Sequence, residues 1–171
     1  MTKEILLLWV GRRAEAPWEK LAQEYQRRIQ RRLTFTERRV RPAEGRDNAP
    51  GRAVETEAER LRACLRPDDV VVALDERGRQ SSTEELARWL AFRECPGRLV
   101  FLVGSDLGLA SSLRAEAHEV LALSRLTLAH QLARVVVLEQ LYRCLDLLAG
   151  GAYHRGNPAC FLYNARPGRR R

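Results

Sequence analysis

Apolar residues in this chain fall into short unbroken runs, separated by longer stretches where they recur at helical spacing. Ile5-Leu6-Leu7-Leu8-Trp9-Val10 is the first run, and Gly11 closes it. Consecutive apolar positions leave no polar face, so the run reads as a strand buried on both sides. Ala16 to Arg32 then carries Trp18, Leu21, Tyr25 and Ile29 on one helical face with charge opposite. Thr34 to Val40 alternates partially and reads as a second strand. Arg41 to Gly51, with two prolines and two glycines, reads as a flexible loop.

The pattern repeats downstream. Ala53 to Leu65 is predicted helical, and Val70-Val71-Val72-Ala73-Leu74 is another buried strand, after which Asp75-Glu76-Arg77-Gly78 is expected to turn the chain. Ser82 with Glu85 three residues on is a helix-capping signature ahead of Leu86, Trp89 and Leu90. Leu99 to Val103 is a strand stopped by Gly104; a helix is expected from Ser111 to His118 and a short strand at Val120-Leu121-Ala122. His130 to Leu148 is a helix, apolar over much of its circumference. Strands alternating with helices specify an α/β domain with a mainly parallel sheet flanked by helices. The last helix is expected to pack on the sheet and, on its other side, on a second subunit.

With 171 residues and 45% apolar content the chain buries one core rather than two. No apolar run approaches the roughly 20 residues that cross a bilayer, and the N-terminus reads as strand rather than leader, so a soluble cytoplasmic protein is expected. Cys64, Cys95, Cys144 and Cys160 lack metal-ligand spacing, and no metal is expected.

Charge adds a partner. The formal net charge is +8, and arginine outnumbers lysine 28 to 2. Guanidinium groups suit bidentate contacts to phosphate and stacking on bases. Arg27, Arg28, Arg31, Arg32, Arg38, Arg39 and Arg41 form one cluster relieved only by Glu37; from Arg155 onward come five arginines and no acid. A polyanionic partner follows.

Phosphate loops, nucleophile elbows and zinc motifs are missing. What remains is a place: the strand ends near Leu74, Gly104 and Ser124 should open on one edge of a parallel sheet, where ligands bind. Gly104 and Gly108 would admit a flat ring or sugar close to backbone.

Several segments then coincide with one family. Leu74-Asp75-Glu76-Arg77-Gly78, the loop Gly104 to Leu109, Thr127-Leu128-Ala129-His130, the helix carrying Glu139-Gln140-Leu141-Tyr142-Arg143, and the closing Tyr153-His154-Arg155 together resemble the ribosomal RNA large-subunit methyltransferase H family of the SPOUT superfamily. The resemblance implies a single trefoil-knotted domain over residues 1–155, with 156–171 a basic C-terminal extension. It implies a homodimer that uses S-adenosylmethionine to methylate N3 of a pseudouridine of 23S ribosomal RNA on the assembled ribosome. Leu74, Gly104, Ser105, Ser124, Arg125, Leu126, Thr127, Leu128 and Ala129 align with its cofactor-binding positions, and Tyr153, His154 and Arg155 with its catalytic tail.

The chemistry suits those residue types. An imide nitrogen is a poor nucleophile until deprotonated, so His154 is the expected base. Arg155 would hold phosphate or the developing anion, and Tyr153 would stack on or orient the base. Three departures stand out. Ser105 replaces a glycine, and its side chain either narrows the adenosine slot or points away from it. Ala129 and Gln131 replace prolines, and the chain continues past the usual end. The rival class is a catalytically weakened relative that binds ribosomal RNA as an accessory protein.

Overall fold

A computed structural model of the chain describes residues 4–12, 15–45, 48–93 and 95–155; the expected basic extension, 156–171, and Cys160 within it lie outside them. Among the described residues five strands, β1 (Glu4–Val10), β2 (Thr34–Val40), β3 (Val70–Gln80), β4 (Leu99–Val103) and β5 (Glu119–Ala122), alternate with five helices. These are α1 (Ala16–Gln30), α2 (Pro50–Arg62), α3 (Thr83–Phe92), α4 (Ser111–Glu116) and α5 (His130–Leu148). The strands form one sheet in the order β2-β1-β4-β3-β5, and every neighbouring pair is parallel.

The apolar run of β1 is unbroken because both faces of the sheet are covered. Ile5, Leu7 and Trp9 join Phe101, Ile29, Leu86 and Leu138 in a core beneath α1, α3 and α5. Leu6, Leu8 and Val10 point the other way, into a core with Val100, Leu102, Leu61 and Leu113 from α2 and α4. Alternate residues of one strand therefore serve two layers.

Helix α5 lies in the groove between α1 and α3, and none of its residues reaches the exposed class. Most of its apolar circumference is buried within one protomer, while Leu132 and Val136 stay partly exposed outside the core clusters. Burial pushes the Cys144 thiol on this helix up to about 12, which leaves it unreactive at neutral pH.

Two other expectations are corrected. Asp75 to Gly78 does not end β3: the chain bulges there, Leu74 and Arg79 both pairing with Leu121 before the strand runs on to Gln80. Asp75 Oδ1 accepts the Arg77 N–H at 2.9 Å, which tightens the bulge locally. The Arg41–Gly51 loop ends early because Pro50 opens α2, its fixed φ being ready-made for a first helical turn. The capping box at Ser82 and Glu85 is formed as predicted.

At the opposite end of the sheet the buried Asp69 is held by Arg98, whose Nη2 lies 2.7 Å from Oδ2 and whose Nε donates to Oδ1 at 2.9 Å. Burial alone would raise this carboxyl; the hydrogen bonds from Arg98 outweigh it and lower the pKa below its ordinary 3.8. A depressed carboxylate stabilises the fold above its unfolded pKa, and the contribution disappears as pH falls through the folded value. Asp69→Asn is therefore expected to flatten stability between neutral pH and the acid limb. Thermal unfolding of both proteins across pH 2 to 7, roughly the carboxylate titration range, checks this; parallel curves would contradict it.

Candidate functional site

The bulge within β3 and the C-terminal ends of β4 and β5 open into a cavity of about 440 Å³, a size typical of small-molecule sites. Three segments wall it: Leu74 to Arg77 from the β3 bulge, Val103 to Gly108 after β4, and Leu123 to His130 leading into α5, with Arg125 set aside. Arg114 and Ala133 complete the lining. Nine of the ten expected cofactor positions thus meet in one place: Leu74, Gly104, Ser105, Gly108, Ser124, Leu126, Thr127, Leu128 and Ala129. Arg125 is exposed and outside the lining.

The loop after β4 is tight for a visible reason. A Cβ on Gly104 would lie 2.5 Å from the carbonyl carbon and oxygen of Gly108. The contact is with backbone, which cannot swing aside. Gly104 therefore lets the loop fold on itself. Gly108 has φ of 80° and no atom within 4 Å of its Cβ direction. Gly104→Ala should force the loop open and raise the dissociation constant for S-adenosylmethionine by about tenfold or more, a loss of at least ~1.4 kcal/mol. Titration calorimetry against the parent tests this, and an unchanged affinity would contradict it.

Ser105 does not intrude on the cavity. Its hydroxyl donates to Glu57 Oε2 at 2.7 Å and accepts the Leu107 N–H at 3.2 Å, so the side chain points down into the protein.

Charges line the rim. Asp75 Oδ2 is paired with Arg114 Nη1 at 2.9 Å, and the same nitrogen donates to the Leu109 carbonyl at 2.7 Å. Glu76 accepts the Thr127 hydroxyl at 2.5 Å, linking the β3 bulge to the segment before α5. Ser124 Oγ accepts the Leu126 N–H at 2.9 Å. The sequence analysis reads Asp75, Glu76 and Arg77 as a turn and assigns no role to Asp106 or Arg114, yet all five line the cavity. His130, the first residue of α5, also lines the cavity, its Nε2 lying beside Gly11.

Tyr153, His154 and Arg155 lie elsewhere in the protomer. They follow the C-terminal end of α5, and the cavity is at its N-terminal end; 19 helical residues span roughly 28 Å. The Tyr153 ring packs edge-on against Tyr142 at 4.8 Å, with the Arg143 guanidinium 4.6 Å and that of Arg28 5.9 Å from its centre. Its hydroxyl donates to Glu139 at 3.1 Å and lies 3.2 Å from the Tyr25 hydroxyl, while its N–H donates to buried Asp146 at 3.0 Å. Burial, then Tyr25, raises the phenol pKa, so it stays protonated. His154 Nε2 is 2.9 Å from Glu84 Oε1, and its Nδ1 is buried without a partner.

The profile of the family described as "Predicted SPOUT methyltransferase" matches residues 3–154. The chain belongs to the SPOUT methyltransferase family. Among its relatives is the ribosomal RNA large subunit methyltransferase H of Gloeobacter violaceus, 43% identical over 154 residues, covering 89% of this chain and 99% of that protein. The like-named protein of Geotalea daltonii is 42% identical over 154 residues, covering 86% and 97%. That of Bacteroides fragilis is 32% identical over 151 residues, covering 86% and 96%. A probable methyltransferase from Bordetella pertussis Tohama I overlays with a TM-score of 0.49 at 17% identity, covering 84% of this chain and 95% of that one.

S-adenosylmethionine is the cofactor to be expected of a SPOUT methyltransferase, and the cavity fits it chemically. Leu74, Val103, Leu123 and Leu128 offer apolar wall for an adenine ring; the glycine loop gives close backbone; carboxylates at the rim suit a cationic sulfonium. Among the described residues no group of three or more His, Cys, Asp or Glu is placed to hold a metal, and no helix is long and apolar enough to cross a membrane.

Proposed function

We propose that this protein methylates N3 of a pseudouridine in large-subunit ribosomal RNA, acting in the cytoplasm as a homodimer on the assembled ribosome. The observation that carries the reading is the convergence of Leu74, Gly104 to Gly108 and Ser124 to Ala129 on one cavity in a chain whose relatives bear that enzyme's name. The knot expected of the family belongs to the same reading. So does the dimer: one protomer separates cavity and tail by the length of α5, and a second copy would supply the tail to the first copy's cavity.

S-adenosylmethionine, when bound, supplies an electrophilic methyl group on a sulfonium. The residues of this chain do the rest. The β3 bulge and the glycine loop would hold the cofactor, converting transfer into a step between positioned groups. His154 would accept the N3 proton, leaving the nitrogen free to take the methyl carbon while the electrons of the broken carbon–sulfur bond stay on the departing thioether. Arg155 neutralises charge developing on the imide or holds a neighbouring phosphate. Tyr153 serves as an anchor: caged by Arg28, Arg143 and Tyr142, it sets where the next two residues sit.

Calorimetry of the intact protein with S-adenosylmethionine is the first test, and no detectable binding would favour the accessory-protein reading. Mass spectrometry of ribosomal RNA from a strain lacking the gene is the second. Loss of the pseudouridine methyl group is expected; its persistence would reject the substrate.

A further inference from the structure

We propose that Glu57, acting through Ser105, is a positioning residue that holds the cofactor loop in its binding shape; this rests on the methyl-transfer reading above. Glu57 is 2% exposed, on the inner stripe of α2 between Ala53 and Leu61, where helical spacing calls for an apolar side chain. A carboxylate buried there is costly unless hydrogen-bonded, and leucine at that position would pack without the cost.

Its bonds show what it does. Oε2 accepts the Ser105 hydroxyl at 2.7 Å, and Oε1 accepts the Ala43 N–H at 3.0 Å. Ser105 Oγ in turn accepts the Leu107 N–H at 3.2 Å, and its carbonyl accepts the Gly108 N–H at 2.9 Å. Ser105 and Gly108 form an isolated antiparallel bridge. The loop thus hangs from one buried hydroxyl, and that hydroxyl is oriented by one buried carboxylate. Because Ser105 Oγ donates downward to Glu57 and accepts from Leu107 across the loop, fixing its rotamer also fixes the Leu107 amide at the cavity wall, beside the backbone bond that already ties Gly108 to Ser105.

The arrangement separates affinity from rate. The latch orders the loop before the cofactor arrives, so its loss is felt in binding; it touches no reacting atom, so turnover at saturation should persist.

The experiment uses the full chain with Ser105→Ala, Glu57→Gln and the double variant, measuring affinity for S-adenosylmethionine by calorimetry, KM and kcat on ribosomes lacking the methyl group, and thermal midpoints. Each single variant is expected to raise the dissociation constant by about tenfold, ~1.4 kcal/mol. The double variant should be no weaker than the worse single, because the two side chains act as one device. Values of kcat should stay within about twofold, the split that marks lost binding rather than lost chemistry. Ser105→Ala removes one oxygen, so it keeps the question open to refutation if Glu57→Gln fails to fold. Affinity unchanged in Ser105→Ala, effects that multiply in the double variant, or kcat falling at constant affinity would each overturn the latch. Failure of the parent protein to bind cofactor would overturn the methyltransferase reading itself, and is distinguishable because it precedes any substitution.

Discussion

His154→Ala is expected to slow methyl transfer by about 10²- to 10⁴-fold, the range for loss of a general base, while cofactor affinity stays within about twofold. The imide proton must leave before N3 can attack, and without a positioned acceptor that proton goes to water. Glu84 Oε1 meets His154 Nε2 at 2.9 Å, and the Glu84 carboxyl is itself lowered by its own backbone N–H and the Ser82 hydroxyl, with His154 adding to the effect; proton acceptance then falls to Nδ1, which is buried in the protomer and must be uncovered for substrate. A fixed carboxylate beside the ring selects its orientation and tautomer. Single-turnover transfer with calorimetry in parallel checks both halves. A rate equal to the parent's would remove His154 from the chemistry; a matching collapse of cofactor affinity would reassign it to the pocket.

The second large effect is on stability. Arg134→Ala is expected to destabilise the fold by about 3–5 kcal/mol, the cost of breaking a buried ion pair from one side. Arg134 is 2% exposed; it donates to Glu37 from Nη2 at 2.9 Å and also through Nε, and to Glu19 from Nη1 at 3.0 Å. Its guanidinium lies 4.5 Å over the Trp9 ring. Burial alone would lower its pKa, but the hydrogen bond and charge of Glu37 prevail and raise it. Removing the cation leaves Glu37, which is only 8% exposed, with Gln26 as its remaining side-chain partner and its charge unpaired. Thermal unfolding should show a fall on the order of 10 °C for a chain of this size. An unchanged midpoint with weakened RNA binding would mean that this arginine serves substrate instead.

The arginine cluster illustrates how structure divides what composition joins. Arg27 and Arg28 pair with Glu24 on their own helix, Arg32 reaches Asp146 at the end of α5, and Arg28 also lies over Tyr25, Tyr142 and Tyr153. Because α1 runs back against β2, Arg31 sits at one end of the strand and Arg39 and Arg41 at the other. One linear run therefore serves the tail end of α5 and the cavity end of the sheet separately.

Much of the fold was legible because the physics that sets it is local. A strand covered on both faces must be apolar at every position, so β1 and β4 announce themselves; a helix wedged between two others must be apolar around most of its surface, and α5 was bounded at His130 and Leu148 for that reason. The parallel sheet and the single edge where its strands open follow from alternation of those elements. Side-chain partners did not follow. Glu37 and Arg134 are 97 positions apart, and Ser105 and Glu57 are 48 apart. Whether Ser105 blocks the cavity or braces it, whether Arg134 meets RNA or carboxylates, and whether Asp75 turns the chain or bulges within β3 depend on what the packed layers bring alongside. The sequence by itself determined the layers and the strand ends that frame the cavity. Only the tertiary structure decided the polar contacts, because a buried charge or hydroxyl takes its role from the partner that offsets its desolvation, and that partner is chosen by packing rather than by spacing.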